Sequence, residues 1–269
     1  MIHVVRRSRP HLWALVFVLC ARAAAAQSPA PQETAPAQPS VQFLPHALFR
    51  LSAEHLSGQD ESFQWDANFG GDLDIVDYGS GRASFEANYQ VIMGDEFRRF
   101  DPNQGNYILG GSTSLRRSGY EFAGVFHHES RHLSDRANRV AVAWNMAGGR
   151  ISRAYTFGSA RLDAGVDVRT VVAKSFVDYD WEIAGGVRGH AQVHPHVAVL
   201  FAGDLRRLGV DGSQNRGDQT GFRLETGLHL SDGGGAAEFF ISAERRIDPY
   251  PLEFGTINFV TVGFRLLSH

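Results

Sequence analysis

The chain has 269 residues, a formal net charge of −3, and a composition that is 43% hydrophobic and 20% charged. So balanced a charge offers no basic face for nucleic acid. The only cysteine, Cys20, leaves neither a disulfide framework nor a cysteine metal site. Beyond the first residues there is no apolar run of roughly 18 residues, which excludes a helical membrane protein.

Arg6, Arg7 and Arg9 precede an apolar run from Leu12 to Leu19 and small residues ending at Ala26, the layout of a signal peptide over residues 1–26. Residues 27–41, rich in Pro, Ala and Gln, have little to bury and read as a disordered linker. Residues 42–269 read as one unit, an outer-membrane β-barrel, because apolar and polar residues alternate along most of it. From Phe63 to Ile75 the alternation is unbroken, with Phe63, Trp65, Phe69 and Leu73 on one face and Asp66, Asn68, Asp72 and Asp74 on the other. Strands are predicted at 45–55, 62–77, 82–93, 105–116, 119–131, 138–147, 153–173, 179–193, 196–207, 219–231, 236–246 and 256–267. Pro45 suits only the start of the first.

This makes an all-β fold, an antiparallel transmembrane barrel of about 12 strands. Connections after even-numbered strands are short, as at Arg117-Ser118 and Gly148-Gly149-Arg150, and those after odd strands are longer. Barrels of bacterial outer membranes have short periplasmic turns and longer outer loops, so both chain ends are expected in the periplasm. A soluble sandwich or lipocalin-like barrel is the structural rival, with its apolar faces turned inward. On the membrane reading, Val140, Val142, Trp144 and Met146 belong to the lipid face. The charged faces, among them Asp66, Glu121, Arg169, Glu182, Arg223 and Glu238, fill the lumen with ion pairs or line a narrow small-solute channel without strong ion preference.

One stretch stands apart: Phe126-His127-His128-Glu129-Ser130-Arg131-His132-Leu133-Ser134-Asp135, which closes the fifth strand at the outer rim. His128, Ser130 and His132 share one face; His127, Glu129 and Arg131 share the other. The stretch resembles an uncharacterised family of Gram-negative outer-membrane barrels whose motif reads His-Gln-Ser-Ser-His-Leu-Gly-Asp, matched at His128, Ser130, His132, Leu133 and Asp135. Glu129, Arg131 and Ser134 depart from that motif. The resemblance implies a barrel in the cell envelope, but no activity.

The His-x-Ser spacing is also similar to that of lipid A 3-O-deacylases, although Arg131 stands where those enzymes have asparagine. This similarity implies a catalytic pair, His128 and Ser130, acting on the acyl ester of a lipid. Two residues apart on a strand, their Cα atoms lie about 7 Å apart, near enough for the imidazole to act as general base. Parity with Tyr120, Phe122 and Phe126 turns the pair toward lipid. Asp95, Glu96 and Asp135 are the candidates for an orienting acid. No metal is expected, because His128 and His132 would be about 13 Å apart on a straight strand, and no cofactor is called for. Arg98, Arg99, Arg131 and Arg136 are the expected contacts to lipopolysaccharide phosphates, with outer-membrane lipid as the natural partner. The first expectation is thus a structural or lipopolysaccharide-associated barrel, with a lipid A hydrolase and a narrow channel as alternatives.

Overall fold

The computed structural model describes residues 41–58, 60–133 and 140–268. The signal peptide, most of the linker, Asp135, Arg136 and Arg139 lie outside the described residues. Twelve strands follow in order: β1 Gln42–Leu56, β2 Trp65–Asp77, β3 Arg82–Gly94, β4 Asp101–Arg117, β5 Tyr120–Leu133 and β6 Val142–Phe157. They continue with β7 Ala160–Ser175, β8 Tyr179–His194, β9 Val197–Val210, β10 Gln219–Asp232, β11 Gly235–Ile247 and β12 Thr256–Ser268. Each pairs antiparallel with its sequence neighbours, and β1 pairs with β12, so the sheet closes into a barrel without an edge.

Closure turns the alternation into an inside and an outside. Phe49, Phe69, Phe85, Phe122, Val168, Leu224 and Val262 are exposed on the outer wall, while Glu54, Asp66, Glu182, Glu225, Glu238 and Glu244 are buried. A soluble barrel would show the reverse. Connections at one end are tight, with only residues 118–119 between β4 and β5 and 233–234 between β10 and β11. At the other end they lengthen, to residues 57–64, 211–218 and 248–255.

Three local expectations are corrected. The sixth strand does not end at Gly148-Gly149-Arg150; β6 runs through to Phe157 and turns at Gly158-Ser159. Gly158 takes the left-handed φ of +58° that the tight turn needs. Gly148 serves a different purpose, since a Cβ there would sit 2.0 Å from the Val168 carbonyl oxygen on β7. Pro45 does not start its strand but lies inside β1, at a register shift between Phe43 and His46 where a missing N–H does little harm.

The third correction concerns direction. Val142, Trp144 and Met146, expected to face lipid, point into the lumen and are 3%, 1% and 0% exposed. They pack with Tyr179, Leu208 and Ile247 in an apolar cluster at the long-loop end. Leu56, Phe63, Ile92 and Phe259 form a second such cluster at the same end. Below these plugs the lumen is ionic. Arg246 pairs with Asp66 at 2.8 Å and with Glu244, and Glu244 with Arg223 at 2.7 Å. Arg223 pairs with Glu225 at 3.0 Å, Glu225 with Arg265 at 3.2 Å, and Arg265 with Glu238. This row runs from the long-loop end toward the short-turn end, with Glu244, Glu225 and Glu238 each shared between at least two guanidinium groups.

Candidate active site

The end of β5 divides its residues by parity, as the alternation requires. His127, Glu129 and Arg131 enter the lumen. Arg131 is buried, donates from Nε to Glu129 Oε1 at 2.9 Å and to the Asp248 carbonyl, and its guanidinium lies 5.1 Å from the centre of the Trp144 ring. The His127 Nε2 is 3.9 Å from Glu129 Oε2. Arg131 thus points away from lipid on the outer wall, and His127 and Glu129 line the lumen at the same end of β5.

His128, Ser130 and His132 face outward. Register sets His128 opposite Leu109 on β4 and Asn145 on β6, and Ser130 opposite Tyr107 and Ala143. His128 Nδ1 and Asn145 Oδ1 are hydrogen-bonded at 2.8 Å. With Nδ1–H donating to the amide oxygen, Nε2 is left as the acceptor. Ser130, two residues along β5 from His128, is buried. The Tyr107 ring meets Tyr89 at 4.8 Å and the His132 ring edge-on at 5.4 Å, an aromatic patch on the same face. The ladder between β6 and β7 shifts register between Asn145 and Met146. Such irregularities re-aim side chains and often accompany functional sites.

Asn145, not a carboxylate, is the side chain hydrogen-bonded to His128. Asp95 accepts instead from the Phe100 N–H at 3.3 Å, and Glu96 from the Ser62 hydroxyl. Asn145 was hidden by the wrong direction given to β6, which put Trp144 outside and position 145 inside. Its signal was present nonetheless: in Ala143-Trp144-Asn145-Met146-Ala147 it is the only amide between two alanines of its own parity. Arg98 and Arg99 are exposed in the loop between β3 and β4, and Arg98 Nε lies 3.3 Å from Asp101 Oδ1.

The long loops above the lumen are clamped by Arg216, which bonds Asp178 at 2.8 and 2.6 Å and both carboxylate oxygens of Asp248 at 2.8 Å. Burial opposes the Arg216 charge, but the two carboxylates outweigh it and raise its pKa above the ordinary value. Nearby, the Lys174 ammonium, with Ser213, holds the Asp211 carboxyl below the usual range.

No family model matches the chain, and no curated protein does. Solved structures do match. LpxR from Salmonella typhimurium aligns with a TM-score of 0.51 at 8% identity, over 83% of this chain and 99% of that one. Outer membrane phospholipase A from Escherichia coli aligns at 0.53 and 10% identity, over 84% and 98%. The Salmonella typhi outer membrane phospholipase, a dimer with bound calcium, aligns at 0.53 and 10%, over 88% and 94%. At such identities the likeness concerns the fold: this is the architecture of outer-membrane barrels.

Proposed function

We propose that this chain is an outer-membrane acyl-ester hydrolase acting on lipid, with Ser130 as nucleophile, His128 as general base and Asn145 orienting the imidazole. The observation that carries this reading is the 2.8 Å hydrogen bond between His128 Nδ1 and Asn145 Oδ1 on the outward face, two residues from Ser130. Nucleophile, base and orienter are the three roles acyl transfer needs, whatever the fold that supplies them. A solved active-site mutant of the Escherichia coli phospholipase, aligned at a TM-score of 0.51, has an asparagine replaced by alanine. In that enzyme too an amide belongs to the active site.

In the proposed reaction the Ser130 hydroxyl attacks the ester carbonyl and its proton passes to His128 Nε2. Asn145 keeps the imidazole in the required tautomer. The tetrahedral intermediate collapses, the alcohol leaves with the proton held by His128, and the acyl group stays on Ser130. Water, deprotonated by His128, then attacks the acyl-serine and releases the fatty acid. Because His128 and Ser130 fall on the outward face of β5, the proposed substrate is the ester of a membrane lipid, taken up without leaving the membrane. The long-loop end is assigned to the outside and the termini to the periplasm, in keeping with barrels of this loop asymmetry. Arg98 and Arg99, exposed at that end, are then suited to lipopolysaccharide phosphates.

The test is release of fatty acid from mixed micelles holding either a phospholipid or lipid A, which separates the two lipid sources. The wild type is expected to release acyl groups from one of them. Ser130→Ala is expected to be inactive, and His128→Ala slower by about 10²–10⁴-fold. Acyl release by Ser130→Ala at the wild-type rate would remove the reading.

A further inference from the structure

A second group of side chains lies inside the barrel near the short-turn end, on strands that take no part in the proposed hydrolysis. β8 carries His190, β10 carries His229 and β11 carries Glu238; β9 passes between the two histidines with small Ala198 and with Leu200, both fully buried. His190 Nε2 is 3.2 Å and His229 Nδ1 3.0 Å from the same carboxylate oxygen, Glu238 Oε1, and the ring centres are 4.4 Å apart. The three ligand atoms all fall within 4.8 Å of one another.

We infer that His190, His229 and Glu238 form a binding site for a divalent transition-metal ion such as Zn²⁺. A tetrahedral ion with bonds of about 2.0–2.1 Å holds its ligand atoms roughly 3.3 Å apart, close to the two distances found between each imidazole and the carboxylate. Two imidazoles and one carboxylate suit zinc or its neighbours in the transition series better than magnesium or calcium, which take oxygen. The carboxylate is already held for the task. Its other oxygen, Oε2, accepts from Arg188 at 2.6 Å and from Arg265, leaving Oε1 to the histidines, the kind of outer support that orients metal ligands. The Glu238 side chain is fully buried while that of His190 is 30% exposed to the lumen, which provides a route of entry and room for water at a fourth position. Binding replaces the two N–H···O contacts with two N–metal bonds, so a neutral imidazole then carries its N–H on the other ring nitrogen and a protonated one releases a proton. The ion would tie β8, β10 and β11 together on the lumen face of the wall.

The test uses the chain purified from outer membranes in detergent, stripped with a chelator and titrated with Zn²⁺ by calorimetry, and with Co²⁺ for its visible spectrum. One equivalent is expected to bind, with a tetrahedral Co²⁺ spectrum. His190→Ala and, separately, His229→Gln are expected to weaken binding by at least about tenfold. The double variant His194→Ala/His196→Ala, in the exposed turn nearby, is expected to bind as the wild type does. Circular dichroism shows which variants keep the barrel. Absence of a stoichiometric site in the wild type, or wild-type affinity in either folded cluster variant, would overturn the inference. Loss of binding in the turn variant would do the same. No readout depends on hydrolysis.

Discussion

At the scale of single residues, the proposed hydrolase gives Asn145 the orienting role that a carboxylate commonly fills. The side chain lies on the outer wall, where a charged group is destabilising toward the bilayer midplane, a carboxylate less so than the about 2–4 kcal/mol of arginine or lysine. Asparagine accepts the imidazole N–H without that cost. Asn145→Ala is therefore expected to leave a folded barrel whose turnover falls, with a smaller loss than Ser130→Ala, measured as kcat on micellar lipid. If Asn145→Ala left kcat unchanged, the hydrogen bond would have no part in the chemistry. His128 and Ser130 could be singled out from their spacing alone, because two residues on a strand share a face wherever the strand lies. Asn145 could not, since it comes from the next strand and only the register between β5 and β6 sets it opposite His128.

At the scale of elements, the hairpin of β6 and β7 and the loop clamp carry the clearest consequences. Gly158→Val places a β-branched residue at φ +58° and is expected to cost about 1–3 kcal/mol. Gly148→Ala drives a Cβ into the β7 backbone and is expected to lower the yield of folded barrel in detergent. Wild-type stability in Gly158→Val would contradict the turn assignment, and a wild-type yield for Gly148→Ala would contradict the close approach of β6 and β7. Arg216→Ala leaves Asp178 and Asp248, 0% and 2% exposed, without their main cation. Breaking a buried pair in this way costs about 3–5 kcal/mol. The expected result is faster proteolysis in residues 211–218 and 248–255 while the strands stay protected; unchanged cleavage would mean that Arg216 does not hold the loops. Clamp and turn differ in how readable they were. Gly158 is a local signal, overshadowed by the Gly148-Gly149 pair, whereas Arg216 joins three loops far apart in the chain.

At the scale of the whole molecule, the interior decides between a pore and a filled barrel. Trp144, Met146, Tyr179, Leu208 and Ile247 fill the lumen at the long-loop end, and the ion-pair row narrows it below. Planar-bilayer recording is expected to show no steady conductance, and steady single-channel steps would contradict the filling. Trp144→Ala is expected to cost about 3–5 kcal/mol as a large-to-small change in a packed cluster, read from the shift in the denaturant midpoint.

By itself the sequence determined the barrel, its strand number, and the face on which most residues fall, because a period of two is a property of the strand and survives in any environment. It also marked the His128 and Ser130 pair. Only the tertiary structure decided which way β6 faces, that Arg131 enters the lumen, and that Asn145 meets His128. The physical reason is common to all three. When one strand has apolar residues on both faces, as β6 has near Trp144, alternation cannot tell lipid from plug. Hydrogen-bond register with the neighbouring strands then makes the choice, because a slip of one residue would turn every side chain to the other side of the wall.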